Sequence, residues 1–182
     1  TRIETSCVIV GIGIEPDLEV AAEAGVATAD GILVDEYCRT SLENVYAAGD
    51  VATAPNPYLG HRVRLEHWQN AQNQGIAAGR SMAEAAEPYG EVPWFWSDQF
   101  DLRLQLAGHI SPDHKIVYRG DPDSTSFCAF YHRDGVLHAA LGINRPREVR
   151  AAMRLIAKRT RVDVHELAEE GRDLRKLTPL PA

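Results

Sequence analysis

Apolar and polar positions follow different spacings in successive parts of this chain. Residues 7–10 (Cys-Val-Ile-Val) are a short continuous apolar run ahead of Gly11-Ile-Gly13. Such a run predicts a buried parallel strand entering a turn. Residues 17–24 predict one or two helical turns that Gly25 would end. Residues 31–35 and 45–48 read as further strands, the second running into Gly49-Asp50. Residues 53–64, with Pro55, Pro57 and Gly60, read as a loop. From about residue 66 to 86 the spacing becomes helical, with Trp68, Ala71, Gly75, Ala78, Gly79 and Met82 at three- and four-residue steps. The small residues of that stripe predict close backbone packing, because each helical Gly costs about 1 kcal/mol against Ala.

Residues 88–93 read as a linker, and the spacing beyond it drops to two. Leu102, Leu104 and Leu106 alternate with Arg103, Gln105 and Ala107, and residues 115–119 predict a strand. Residues 126–132 and 136–143 flank Asp134-Gly135, a dipeptide suited to a tight hairpin turn. The expectation is an antiparallel meander of three to five strands. Two helices should follow. Pro146 sits at a first helical position ahead of an apolar stripe of Val149, Ala152, Met153 and Ile156. Asp163 and Glu166 resemble a capping box for a helix to about residue 170, ended by Gly171.

Composition adds little. Of 182 residues, 45% are hydrophobic and 25% charged, which excludes a wholly disordered or collagen-like chain. The net charge of -7 gives no reason to expect nucleic acid. No apolar run approaches the roughly 20 residues that span a bilayer. Cys7, Cys38 and Cys128 show no CxxC spacing, so neither a disulfide framework nor a zinc site follows, and a reducing, cytoplasmic setting is expected. His61, His109, His114, His132, His138 and His165 show no ligand spacing, and none is assigned a metal. Charge is uneven: residues 1–60 hold two basic and ten acidic residues, while residues 145–161 hold seven basic residues and one acid. Arg147, Arg150, Arg154 and Arg161 are expected near one helical face. Such a face either steers an acidic partner or is simply solvated.

Two motifs invite chemistry. Gly11-Ile-Gly13 lacks the third glycine of a dinucleotide fingerprint, since Pro16 stands there, and reads as a strand-turn. The stretch T-S-x-x-x-V-Y-A-A-G-D, residues 40–50, runs a predicted strand into Gly-Asp at its C-terminal end, where ligands of open α/β sheets bind. Gly49 admits close backbone approach, and ionised Asp50 is an acceptor suited to a sugar hydroxyl.

That stretch resembles the second FAD motif of the two-dinucleotide-domain flavoprotein reductases. C-V-I-V-G-I-G-I-E-P-D resembles the chain leaving their NAD domain, and R-L-E-H-W-Q-N-A the stretch before the helix that passes the flavin. P-W-F-W-S-D-Q-F is similar to the entry into the C-terminal domain of the ferredoxin reductases, a narrower group related to apoptosis-inducing factor. The resemblance covers essentially the whole chain. It implies an α/β segment of a split FAD/NAD(P)-binding, glutathione-reductase-like fold, followed by an α+β C-terminal reductase domain. The expected division is residues 1–24 ending the NAD-binding domain, 25–90 returning to the FAD-binding domain, and 91–182 forming the C-terminal domain.

The resemblance further implies that Gly49 and Asp50 hold the ribitol of FAD. It places Glu66, His67 and Trp68 near the flavin and the nicotinamide of NADH, and Trp96 against the isoalloxazine. No acid–base role falls to His67, because hydride transfer belongs to the cofactors. Phe95 is expected in the core. The implied activity is electron transfer from NADH through FAD to a [2Fe-2S] ferredoxin serving a monooxygenase or dioxygenase. The partners are that ferredoxin, the remainder of the reductase chain and a possible second copy. A chain with no initial Met and an immediate apolar run is expected to be the C-terminal part of a longer protein. Two alternatives stay open: a non-catalytic oligomerisation or docking module, and an NADH oxidase or redox-sensing flavoprotein.

Overall fold

The computed structural model describes residues 2–180, which form a three-stranded and a five-stranded sheet with helices packed on each. The expected strand at residues 7–10 is not formed. Val8, Ile9 and Val10 are 73%, 94% and 71% exposed and pair with no strand among the described residues. An apolar run becomes a strand only by sharing its N–H and C=O groups with a neighbour, and among the described residues none lies beside this one.

Helix α1 (Glu19–Glu23) stops ahead of Gly25, whose φ is +81°. Strand β1 (Ile32–Leu33) pairs in parallel with β2 (Ala52–Asn56), and β2 pairs antiparallel with β3 (His61–Arg64). The strands β2 and β3 occupy the stretch expected to be a loop. Pro55 is tolerated because β1 meets only Ala52 and Thr53, so no ladder bond is lost at its other edge. Residues 45–48 form no strand beyond a single bridge between Arg39 and Tyr46, and Gly49–Val51 is a 3-10 turn. Gly49-Asp50 therefore precedes β2 instead of ending a strand.

Helix α2 (Trp68–Met82) forms as expected, with a different face inward. Gln74, Ala78 and Ser81 are buried, whereas Gly75 and Gly79 face open space and Trp68 is 69% exposed. The polar side chain of Gln74 is buried because its Oε1 accepts from the Gly49 N–H at 2.9 Å. The expected linker is fastened down. Tyr89 N–H donates to the Glu36 carbonyl, Tyr89 Oη to Asn70, and Asn56 Nδ2 to the Glu91 carbonyl.

The second sheet contains β4 (Trp94–Gln99), β5 (Leu102–Gly108), β6 (Lys115–Arg119), β7 (Phe127–Arg133) and β8 (Val136–Ile143). It is wholly antiparallel; β6, β7 and β8 form the expected meander, and the β4-β5 hairpin adds beside β8 to give the order β4-β5-β8-β7-β6. The last hairpin slots β8 between β5 and β7, a pairing that local spacing does not encode. Asp134 and Gly135, both at positive φ, turn that hairpin as expected.

Helix α3 (Pro146–Lys158) has Pro at its start and covers one face of this sheet. Val149, Ala152 and Ile156 bury against Ala107, Phe130, Leu137 and Ala140. The opposite face leaves Leu104, Leu106, Phe127, Leu141 and Ile143 half-buried and Tyr118 exposed. Helix α4 (Val164–Ala168) is shorter than expected, and its box is only half made. Asp163 accepts from the His165 N–H, but Glu166 pairs with Arg172. The two parts of the molecule meet where Tyr58 packs on the core and Arg159 donates to the Pro57 and Tyr58 carbonyls at 2.8 and 3.2 Å. No helix among the described residues is long and apolar enough to cross a membrane.

Gly142 sets the distance between α3 and the sheet. A Cβ there would lie 2.5 Å from Val149 Cγ2, a stiff side chain held by the core. Gly142→Ala is expected to destabilise the fold by about 1–3 kcal/mol, the range for overpacking. A urea-unfolding midpoint equal to that of the parent would show that α3 yields at no cost.

Candidate functional site

Glu66, His67, Trp68 and Trp96, singled out in the sequence, converge on the junction between α2 and β4, whereas Gly49 and Asp50 lie outside the lining of the cleft there. An open cleft of about 490 Å³ is lined by Arg64, Leu65, Glu66, His67 and Trp68 on one side and Trp94, Phe95 and Trp96 on the other. The turn after β3 brings Glu66 and His67 to the start of α2. His67 itself is extended and precedes the helix. Glu66 is therefore not in the first helical turn. Its carboxylate pairs with Arg64 at 2.7 Å, and Arg64 also donates to the Asp50 carbonyl at 3.0 Å. Arg64, which the sequence reading did not single out, thus ties Glu66 to the Gly49-Asp50 turn.

The cleft walls are flat and aromatic. Trp94 and Trp96 stack with centroids 5.0 Å apart and planes 28° apart, and Trp68 meets Trp96 edge-on at 6.1 Å. Phe95 lies against the His67 ring at 5.1 Å. It is half-buried and lines the cleft, so it is not the core residue expected. Trp94 is the aromatic that packs on the core, because alternation along β4 turns it toward the α3 side.

Asp50 is exposed, and its carboxylate makes no hydrogen bond or ion pair among the described residues. Gly49 is buried at φ +80°, and a Cβ there would sit 3.4 Å from Ala71 Cβ. Burial holds His67 below the ordinary histidine value, against the opposing pull of the Asp50 and Glu66 carboxylates. Its Nδ1 and the Arg64 Nε are buried without a partner among the described residues. The first turn of α2 carries no acid, so its free N–H groups present a partial positive charge beside the cleft. Stacked rings, unspent donors and a free carboxylate suit a flat, polar, hydroxyl-bearing ligand.

Other candidates separate. Cys38 and Cys128 are buried, and burial raises their thiols to about 11 and about 12. Both are protonated at neutral pH and unsuited to attack. No group of three or more His, Cys, Asp or Glu is placed to hold a metal ion among the described residues. Arg147, Arg150 and Arg154 line one pocket, but Arg161 lies outside α3, bonded to the Asp134 carbonyl. The histidines, scattered in sequence, gather. His61, His109, His114 and His138 line a second cleft with Asp113, Arg133 and Arg159. His114 and His138 stack at 4.6 Å, and His114 Nδ1 accepts the Ser111 N–H.

Comparison with known proteins gives this arrangement a family. Residues 1–75 match the pyridine nucleotide-disulphide oxidoreductases, and residues 94–178 match the family described as reductase C-terminal. Each match covers less than half of the chain, and together they account for most of it. It is 43% identical over 179 residues to the ferredoxin reductase subunit of the 5,5'-dehydrodivanillate O-demethylase of Sphingobium sp. (98% of this chain, 43% of that protein). It is 41% identical to the ferredoxin–NAD(+) reductase component of the anthranilate 1,2-dioxygenase system of Burkholderia cepacia (92% and 41%). Among solved structures, a covalent putidaredoxin reductase–putidaredoxin complex superposes with a TM-score of 0.89 at 30% identity, covering 97% of this chain and 42% of that one. The chain spans about two fifths of the length of these relatives.

The histidine cleft carries a pH dependence. Burial lowers His114 and His138 from the ordinary value of 6.5. Arg133 and, for His138, Arg159 and His114 push the same way; His109 and His132 do so for His114, and Asp113 opposes. Below 6.5 the unfolded chain binds more protons than the folded one. Stability present above that value is therefore lost as the pH falls through the window beneath it. Melting temperature should fall between about pH 7.5 and about pH 5, and His138→Gln should flatten the slope. An identical slope in the variant would take the pair out of the effect.

Proposed function

We propose that this chain is the C-terminal part of an FAD-containing reductase that passes electrons from NADH to a [2Fe-2S] ferredoxin of an oxygenase system. The observation that carries the reading is the cleft between α2 and β4, where stacked Trp94 and Trp96 face Arg64–Trp68 beside a free Asp50 carboxylate. The names of the relatives support the partner class. Residues 1–24 would end an NAD-binding domain, 25–90 return to the FAD-binding domain, and 91–182 make the C-terminal domain. The setting is cytoplasmic.

When bound, FAD supplies the hydride-accepting and electron-releasing chemistry. Asp50 would accept hydrogen bonds from the ribityl hydroxyls, and Gly49, whose missing side chain would face Ala71, would let α2 come close to the turn that presents Asp50. The N–H groups opening α2, from Trp68 onward, would face the electron-rich carbonyl edge of the ring. Arg64 holds Glu66 in place, ready to accept from the nicotinamide amide. Kept neutral by burial, His67 would spend its unpartnered Nδ1 on the ligand. Trp96 would cover the ring and exclude water. With Trp68 it leaves an exposed aromatic edge, 40% and 69% accessible, where a one-electron partner can come close.

The uncovered apolar face of the five-stranded sheet supports a homodimer. Leu102, Ile116 and Tyr118 there are 39%, 46% and 45% exposed. Light scattering that gives a monomer at micromolar concentration would remove that part of the reading.

Purified with the rest of its parent chain, the protein should show flavin absorption that NADH bleaches and a [2Fe-2S] ferredoxin restores. A colourless protein would overturn the reading. Trp96→Ala should raise flavin fluorescence and slow hydride transfer from NADH. If neither changes, Trp96 does not cover the ring.

A further inference from the structure

The positive residues that the cleft does not use form a pocket of their own. It has a volume of about 420 Å³ and lies between α3 and the 3-10 turn Leu174–Lys176. Arg147, Arg150 and Arg154 form one wall, Arg172 and Arg175 the other, and Arg119 the end of the adjoining strand β6. Two acids share the lining, and both are engaged: Asp173 with Arg175 at 2.8 Å and Glu148 with Arg145 at 3.6 Å. Arg172 pairs with Glu166. No carboxylate reaches Arg147, Arg150 or Arg154 among the described residues.

Arg119 is the telling member. It is 4% exposed, and no carboxylate pairs with it among the described residues. Its Nη atoms donate to the carbonyls of Leu167, Glu170 and Arg172. Its Nε is buried with no partner among the described residues. Carbonyl dipoles solvate a guanidinium but do not cancel its charge, and a buried cation without a counter-ion is costly. Three further unpaired guanidiniums in the same pocket add mutual repulsion. A solvated helix face has neither a buried cation nor an opposing wall.

We propose that this pocket binds a small phosphate-class polyanion carrying at least two phosphoryl groups. Arginine recognises phosphate oxygens through paired N–H donors, so several guanidiniums around one pocket match that chemistry. Arg147 and Arg154 are seven residues apart on α3, about 10 Å along the axis, which a single phosphate does not bridge and an oligophosphate does. The volume lies in the range of small-molecule sites. The acidic face of a protein would cover the rim without entering to neutralise Arg119, so a compact ligand fits better.

The test uses the full-length protein with its flavin in place and saturating NAD(+) present, so that phosphate sites of both dinucleotides are filled. Isothermal titration at low ionic strength compares inorganic phosphate, pyrophosphate and tripolyphosphate. Saturable binding that tightens along that series is expected. Arg150→Gln with Arg154→Gln should weaken pyrophosphate by about tenfold or more, the scale of losing charge-assisted contacts. Arg150→Lys with Arg154→Lys should bind between the two, since Lys keeps the charge and loses the fork. Neither pair should change flavin content or hydride transfer. No saturable binding of pyrophosphate, or equal binding by the Gln pair, would overturn the proposal; a solvated face and a protein dock both predict that result.

Discussion

Val149 seats over Gly142 at a distance that admits no side chain between them, and this contact fixes the C-terminal half of the molecule. It lets α3 lie close enough for Ala152 to meet the alanines of β5 and β8, a core built from small residues at high density. With one face of α3 so committed, Arg147, Arg150 and Arg154 must point away from the sheet, into the arginine pocket. The same seating leaves β4 partly uncovered. Trp94 reaches the core, while Trp96, two residues on and on the same face, stays 40% exposed. One helix-to-sheet distance thus sets both the tryptophan wall of the cleft and the charged pocket.

Features written in local order were legible in the sequence. Helix α3 announced itself through Pro146 and a stripe of period 3.6, and the β7–β8 hairpin through Asp134-Gly135. Features that depend on a distant neighbour were not. Strands β2 and β3 hide behind Pro55, Pro57 and Gly60, which punctuate the chain as a loop would; only the two-residue reach of β1 makes Pro55 acceptable. The sheet order depends on β8 entering between β5 and β7, and no spacing records that. Residues 7–10 have the composition of a strand without, among the described residues, the neighbour that would make them one.

The site divides along the same line. Gly49, Asp50, His67, Trp68 and Trp96, proposed for the site, could be singled out because they sit in short contiguous motifs. Arg64 was not, because its importance comes from reaching back to Asp50 and forward to Glu66 at once. Gln74 reads as an ordinary polar helix position, yet it caps the Gly49 N–H from within the protein. The histidine cleft draws from residues 61 to 138, and single-residue spacing cannot show such a cluster.

Charge then separates the two ligand-sized sites. The ten acids of residues 1–60 make no ion pair among the described residues, so that part of the chain keeps its negative field. In the cleft, Arg64 cancels Glu66 and so leaves the lining without net charge, with the Asp50 carboxylate as the free charge on the adjoining turn that Arg64 also holds. The arginine pocket has the opposite balance, with a buried Arg119 at its end. A polyanion diffusing to this surface is drawn to the pocket and kept from the cleft mouth, because the two fields have opposite sign over separate surfaces. Occupying one therefore need not obstruct the other, and any influence between them must pass through the element they share, the sheet beneath α3.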